Sequence, residues 1–287
     1  MELPSISVIT PSLNCGDYIE DAILSVACQQ GVRAEHIVQD SLSRDKTLGV
    51  LRRHPQVRWQ WESDAGQSDA INRGFLRAKG DLMGWLNADD YYLPDGLCAI
   101  AQAAAEHLEA DVFYGDCVFV DETGRILRSK VEHDFDPDIL YYFGCYIPST
   151  STFFRRRVIE QGQLLDCDFR VCMDFEYFVR LAQAGFRFQY VPQFIAAFRW
   201  HESNISLLNV ARRRYERLQV QRRYGRHPYS ILAMELLRHG MRAKRVARKL
   251  VTGNAWREAQ IRRQKGEPTL WMQDAGVRAK CAGLACL

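Results

Sequence analysis

Acidic and amide side chains recur through the first third of the chain: Asn14, Asp40, Glu62 with Asp64, and then Asn87, Asp89 and Asp90. Each group closes or follows a short apolar run. Carboxylates gathered in one place can hold a hard divalent cation through oxygen, or take up and hold a proton. Asp and Asn are also ordinary turn and N-cap residues. Four successive strand ends, three of them acidic, exceed what turn chemistry alone predicts, so these residues are expected to line one functional rim.

The elements that must position them follow from periodicity. Ser5–Thr10 reads as a buried strand ended by Pro11, and Asp17–Gln30 carries a helical stripe at Ile19, Ala22, Ile23, Val26 and Ala27, closed by Gly31. His36–Asp40 is a second strand and Thr47–His54 a second helix. Val57–Glu62 and Ser68–Ala78 repeat the pair, with Gly80 as the helix stop. Leu82–Leu86 is a fourth strand, and a helix starts near Pro94 and Asp95. This alternation predicts an α/β fold with a mostly parallel sheet covered on both faces. Ligands of such sheets sit at the carboxyl ends of the strands, where the acidic residues fall.

The chain has 287 residues, 47% of them apolar and 25% charged, which excludes collagen-like and wholly disordered classes. No run approaches the ~20 apolar residues of a membrane span. The N-terminus enters a strand directly with no signal-like segment, so a cytoplasmic protein is expected. Nine cysteines are scattered without a CxxC pair or a common zinc spacing, which predicts reduced thiols. The net charge of +3 hides an asymmetry. Residues 207–287 carry 19 Lys+Arg against 5 Asp+Glu, and the rest 19 against 30. This predicts an acidic body, 1–206, with a basic helical extension, 207–287.

The stretches SISVITPSLNCGDYIEDAILSVACQQ, HIVQDSLSRDKTLGVL, WESDAGQSDAINRGFLRAKGDLMGWLNADDYYLPDG, FRVCMDFEYFVRLAQAG and FRWHESNIS resemble, in order, those of glycosyltransferase family 2. The third is the most specific. The resemblance covers about residues 3–206. It implies a GT-A fold and a nucleotide-diphosphate sugar donor, a UDP-sugar first of all. One turn departs from the pattern: where the family has a D-G-G-S-T-D-G-T-like sequence, this chain reads Asp40-Ser41-Leu42-Ser43-Arg44-Asp45-Lys46-Thr47. Three glycines have become Ser41, Leu42 and Lys46. Any of them needed at positive φ would carry strain.

By resemblance, Thr10, Pro11, Asp40, Asp64 and Gly66 line the nucleoside cleft. Asp89 and Asp90 divide metal and ribose or phosphate contact between them, and His201 approaches the diphosphate or metal. The expected cation is Mg2+ or Mn2+, bound by one or two carboxylates and phosphate oxygens. The DxD-like site begins here with the neutral Asn87. Asp174, at a helix start, matches the family's general base, which implies single displacement with inversion. Glu176, two residues on, points elsewhere.

In the extension, 229–251 reads as a helix with Leu232, Leu236, Ala243, Ala247 and Leu250 on one face and Arg238, Arg242, Arg245 and Lys249 beside it. Two readings stay open. The helix lies on an anionic membrane surface, serving a carbohydrate or lipid-linked acceptor in surface polysaccharide or glycolipid assembly. Alternatively, its apolar face packs on the body and its basic side is solvated. No nucleic-acid motif accompanies the charge, and no nucleic acid is expected. The competing functions are a nucleotidyltransferase, which lacks its Gly- and Lys/Arg-rich loop after the first strand, and a catalytically weakened binding member of the same fold.

Overall fold

The structure, a computed structural model, describes residues 2–202, 204, 209–225 and 231–269. Its first half alternates as the periodicity predicts: β1 (Ile6–Ser12), α1 (Ile19–Ala27), β2 (Ala34–Asp40), α2 (Thr47–Arg52), β3 (Arg58–Trp61), α3 (Gln67–Arg77), β4 (Leu82–Trp85). Then come β5 (Tyr91–Tyr92), α4 (Gly96–Glu106), β6 (Val112–Val120), β7 (Ile126–Lys130), a π-helical turn (Ile139–Phe143), β8 (Thr152–Arg155), α5 (Arg156–Glu160), α6 (Met173–Gln183) and β9 (Phe188–Arg199). The extension forms α7 (Val210–Tyr224), α8 (Ile231–Val251) and α9 (Asn254–Arg262).

The sheet runs β3-β2-β1-β4-β8-β6-β9-β5, with β7 paired to β6. β1 to β4 are mutually parallel, as are β6 and β9, while β8 is antiparallel to both β4 and β6. The C-terminal ends of β1–β4, β6 and β9 therefore fall on one rim. Apolar clusters cover both faces. Ile9, Trp85, Phe154 and Phe178 lie in one; Val8, Ala22, Leu97 and Ile195 lie in the other. Trp85, fully buried, stacks on Phe154 with ring centroids 5.6 Å apart.

Two expectations change in detail. β1 does not stop at Pro11 but runs to Ser12, in register with Asp40. Ile9 O accepts from Leu86 N, and by strand alternation the Pro11 nitrogen faces the same side, beyond the last β4 partner. The missing N–H therefore breaks no ladder bond. Gly80 does not cap α3, which ends at Arg77 with Ala78 extended. A Cβ on Gly80 would lie 2.5 Å from Ser7 N, so it permits close approach to β1.

Six described cysteines are free, but Cys28 is disulfide-bonded, which corrects the expectation of reduced thiols throughout. Among the described residues, no helix is long and apolar enough to cross a membrane.

The extension is knitted onto the body. α7 packs on α6, and α8 packs on the π-helical turn. Thr269 Oγ1 lies 2.9 Å from Tyr91 OH. On α8 the reading with a packed apolar face is inverted. Arg245 reaches the fully buried Glu132 at 2.7 Å, Lys249 reaches Glu258 at 3.1 Å, and Lys244 and Arg248 reach Asp136 at 2.8 and 2.9 Å. Leu236 and Leu250, each 65% exposed, face outward. Basic side chains dock this helix because the surface beneath them is acidic. Leu232's side chain lies outside the described residues.

Candidate active site

At the end of β4, Leu86 N bonds Ile9 O and the chain turns through Asn87–Asp90. The two aspartates diverge. Asp90 is fully buried, accepts Arg199 N at 2.8 Å and Asn87 Nδ2 at 2.9 Å, and is pushed well above the usual carboxylate range by burial and by the neighbouring Asp89. Asp89 keeps partial exposure, and its Oδ2 accepts His201 Nε2 at 2.9 Å. The structure thus brings Asp89 and His201 together and turns Asp90 inward as a brace for the strand β9 that delivers His201.

His201 is further fixed from both sides. Its ring stacks on Tyr18 at 5.2 Å, and its backbone N–H donates to Asn204 Oδ1 at 2.6 Å. Asn204 Nδ2 in turn donates to Arg199 O at 3.2 Å. Arg199 pairs with Asp21 at 2.8 Å and lies over the Tyr18 and Tyr91 rings. Sequence reasoning missed Arg199, Asn204 and Tyr18 as supports; Arg199 and Asn204 fall inside FRWHESNIS, and their adjacency to His201 was the available signal. Asn87 is engaged too, with its Oδ1 accepting Gln67 Nε2 at 2.7 Å from the first residue of α3.

The residues expected to line the nucleoside cleft lie at or after the neighbouring strand ends. Thr10, buried on β1, bonds His36 Nε2 at 2.8 Å, and burial holds that imidazole's pKa down to about 3, hence neutral. Asp40, fully buried, accepts Ser43 N at 2.8 Å and Ser43 Oγ at 2.6 Å. Ser43 Oγ also accepts Asn14 N, and Asp45 Oδ2 accepts Gly16 N, so the loops after β1 and β2 are laced together. Of the three positions where the family pattern has glycine, only Leu42 takes a positive φ, +59°. The turn is left-handed at that position, and Leu42 bears the strain. After β3, Asp64 Oδ1 accepts Gly66 N at 2.9 Å, and Gly66, with φ +117°, starts α3 in a conformation suited to glycine.

Asp174 occupies the first turn of α6. Its Oδ1 accepts Phe175 N at 2.7 Å, and the Cys145 thiol approaches Oδ2 at 3.7 Å. Burial raises its pKa, opposed by these bonds and by the charge of Lys130. The loop before α6 is held by a residue of the extension. Glu216, buried on α7, accepts Val171 N at 2.8 Å and Cys172 N at 2.9 Å, with Arg170 N at 3.1 Å. Burial alone would raise the Glu216 carboxyl, but Arg212 at 2.6 Å and these N–H groups hold it low. Glu176, as expected, points away and pairs with Arg180 at 2.8 Å.

Among the described residues, no group of three or more His, Cys, Asp or Glu side chains forms a metal site on its own. Asp89 and His201 supply two donors. That set suits a cation which completes its shell with diphosphate oxygens and water.

A mixed sheet with this strand order and an acidic rim defines a GT-A nucleotide-sugar transferase fold. The sequence profile described as glycosyl transferase family 2 matches residues 7–175, and the chain belongs to that family. TuaG of Bacillus subtilis (strain 168), provisionally a teichuronic acid biosynthesis glycosyltransferase, is 35% identical over 99 residues, 33% of this chain and 39% of TuaG. A PGL/p-HBAD biosynthesis glycosyltransferase of Mycobacterium bovis (strain BCG / Pasteur 1173P2) is 28% identical, over 63% of this chain and 70% of its own length. Among solved structures, S. aureus TarS 1–349 in complex with UDP-GlcNAc superposes with a TM-score of 0.60 at 16% identity, covering 83% of this chain and 71% of that one. Mannosyltransferase PcManGT from Pyrobaculum calidifontis, in complex with GDP-Man and Mn2+, gives 0.61 at 18% identity, covering 98% and 86%.

Proposed function

We propose that the protein transfers a sugar from a UDP-sugar to an acceptor hydroxyl, with inversion at the anomeric carbon. The observation that carries this reading is Asp174. It is a carboxylate with a pKa raised by burial, fixed through Phe175 N and Glu216's hold on the preceding loop. A base of that kind accepts the acceptor's proton as its oxygen attacks the anomeric carbon and the bond to the diphosphate breaks. Thr10, Pro11, Asp40, Asp64 and Gly66 bind the nucleoside. Asp89 and His201 hold the cation and orient the diphosphate, and Asp90 positions both by bracing Arg199 and Asn87. A bound Mg2+ or Mn2+ supplies Lewis-acid stabilisation of the charge that builds on the leaving diphosphate.

The UDP-GlcNAc complex of TarS and the biosynthetic assignments of TuaG and the mycobacterial relative support a UDP-sugar and a carbohydrate or lipid-linked acceptor in surface polysaccharide or glycolipid assembly. The outward apolar stripe of α8 supports work at the inner face of an anionic membrane by a cytoplasmic, peripheral protein. Domain roles follow: 1–206 carries the catalysis, and 207–287 meets the surface.

Calorimetry with UDP and GDP, with Mn2+ or Mg2+ and again with chelator, tests the donor reading. Metal-dependent UDP binding that Asp89→Ala weakens at least tenfold is the expected result. GDP in place of UDP would change the base, and no binding of any nucleoside diphosphate would remove the transferase reading. With a turnover substrate, NMR of the product must show the anomer opposite to the donor's.

A further inference from the structure

The extension and Phe143 of the body line a half-open cavity of about 600 Å3 that the transfer chemistry does not use. Four cationic side chains, Arg238, Arg242, Arg245 and Lys249, line it against two carboxylates, Glu235 and Glu258. Arg245 and Lys249 are committed to Glu132 and Glu258. Arg238 lies 3.6 Å from Glu235 in a half-exposed contact, which is worth little in water. Arg242 makes no hydrogen bond or ion pair among the described residues. The cavity therefore holds positive charge that the protein does not neutralise, presented by guanidinium groups whose forked donors match phosphate oxygens.

Exposed apolar side chains border this charge. Val246 lines the cavity and is itself exposed, and Leu236 and Leu250 stand on the same outward side of α8. At the end of that helix Val251 is 88% exposed, and Trp256 on α9 is 67% exposed. A soluble phosphate needs no such border. A phospholipid carries its phosphate and its hydrocarbon chain together, and an amphipathic helix rich in Arg with Leu and Trp on its other side lies at that boundary.

We propose that this cavity binds the phosphate group of an anionic lipid, with α8 and α9 lying on the bilayer. Arg238 and Arg242 meet headgroup phosphates, while Leu236, Val246, Leu250, Val251 and Trp256 enter the acyl boundary. The cavity also borders the segment that contacts Asp174. Phe143 forms part of its wall, the Arg245 guanidinium lies 5.4 Å from that ring, and Cys145, two residues on, contacts Asp174. A phosphate-bearing lipid seated here is thus tied to the base by a short piece of chain. That link to acceptor delivery rests on the proposed transferase function; the lipid site itself does not.

The test is co-sedimentation of the full chain with phosphatidylcholine vesicles, with and without phosphatidylglycerol, at low and high salt. Binding is expected only with phosphatidylglycerol and weakens as salt rises. R238Q/R242Q should lower partitioning roughly 30-fold, about fivefold for each charge removed near the surface. R238K/R242K should retain most of it. L236S/L250S should also lose binding, which gives a second route should the glutamine pair misfold. Absence of binding to phosphatidylglycerol vesicles at low salt, or binding that survives R238Q/R242Q, overturns the proposal. Calorimetry with inorganic pyrophosphate supplies another arm: pyrophosphate binding without vesicle binding overturns the lipid source. UDP calorimetry on the same preparations reads the donor site separately. Vesicle binding without binding of UDP, GDP or any other nucleoside diphosphate supports this site while removing the transferase reading, and nucleoside diphosphate binding without vesicle binding does the reverse.

Discussion

Asp174→Asn separates the chemical role of this carboxylate from its structural one. Asparagine keeps an oxygen to accept Phe175 N, now 2.7 Å from Oδ1, and changes neither size nor helix position. Only the proton-accepting charge is lost. General-base catalysis contributes about 10²–10⁴-fold, so kcat should fall by that factor, or about 3–5 kcal/mol in barrier. Stability should move the other way. Burial raises the folded-state pKa of Asp174 above its unfolded value near 3.9. The group therefore detracts from stability at pH values above its folded pKa, by about 1.4 kcal/mol for each pKa unit of elevation, and stops doing so below the unfolded pKa. Asp174→Asn should be at least as stable as the wild type at pH 7, with the difference vanishing toward acid pH. UDP release from the donor that calorimetry selects, together with urea denaturation at two pH values, measures both. The acid limb of kcat/KM should lie above the range of an ordinary aspartate. Activity within about threefold of wild type would refute the base assignment. A large loss of stability at neutral pH would refute the claim that the carboxylate is held at a cost.

Glu216→Ala should lower stability by about 2–3 kcal/mol through the N–H groups of residues 170–172 that it leaves unpaired, and should lower kcat more than it weakens UDP binding. Because this carboxyl is held low in the fold, its contribution is present above the unfolded pKa and is lost as pH falls through the folded value, which an acid titration of Tm checks. Asp90→Ala should cost about 1–3 kcal/mol by orphaning Arg199 N, and Asp90→Asn less; full stability with abolished UDP binding would instead make Asp90 a direct ligand. At φ +59°, Leu42→Gly relieves about 1–2 kcal/mol of backbone strain while surrendering part of the side chain's burial, so it should exceed Leu42→Val in stability by at least ~1 kcal/mol in urea melts.

The first half of the fold was legible because its signals are local. β1 and β4 are short apolar runs, β2 has an apolar centre and β3 is marked by its tryptophans, the helices between them are short and local, and the rim residues follow directly. The second half is not local. Val112–Val120 is buried at all nine positions, so it shows no alternation to reveal which face or neighbour each residue takes. Its pairing with β9 joins residues some 76–79 positions apart. The choice between Asp89 and Asp90 has the same character. Both sit in one turn, and Asp90 turns inward to meet Arg199 N, 109 residues away. The proposed Asp174, by contrast, stood in a helix start that carried both its own motif and a clear apolar stripe.

The extension shows why an amphipathic pattern does not fix its own direction. A helix with a leucine stripe ordinarily turns it toward the core. Here Glu132, Asp136 and Glu258 lie beneath α8, and Arg245, Lys244, Arg248 and Lys249 answer them. Removing Arg245 would strand Glu132, which is fully buried, at a cost of about 3–5 kcal/mol. No comparable term rewards Leu236, Leu250 or Val251 for facing water. The proposed anionic bilayer would cover this exposed apolar area and meet the uncompensated arginines beside it. The extension reaches Asp174 by two routes, through Glu216 on α7 and, from the α8 surface itself, through Phe143 and Cys145. A surface that recruits the protein is therefore mechanically continuous with the base assigned to the transfer.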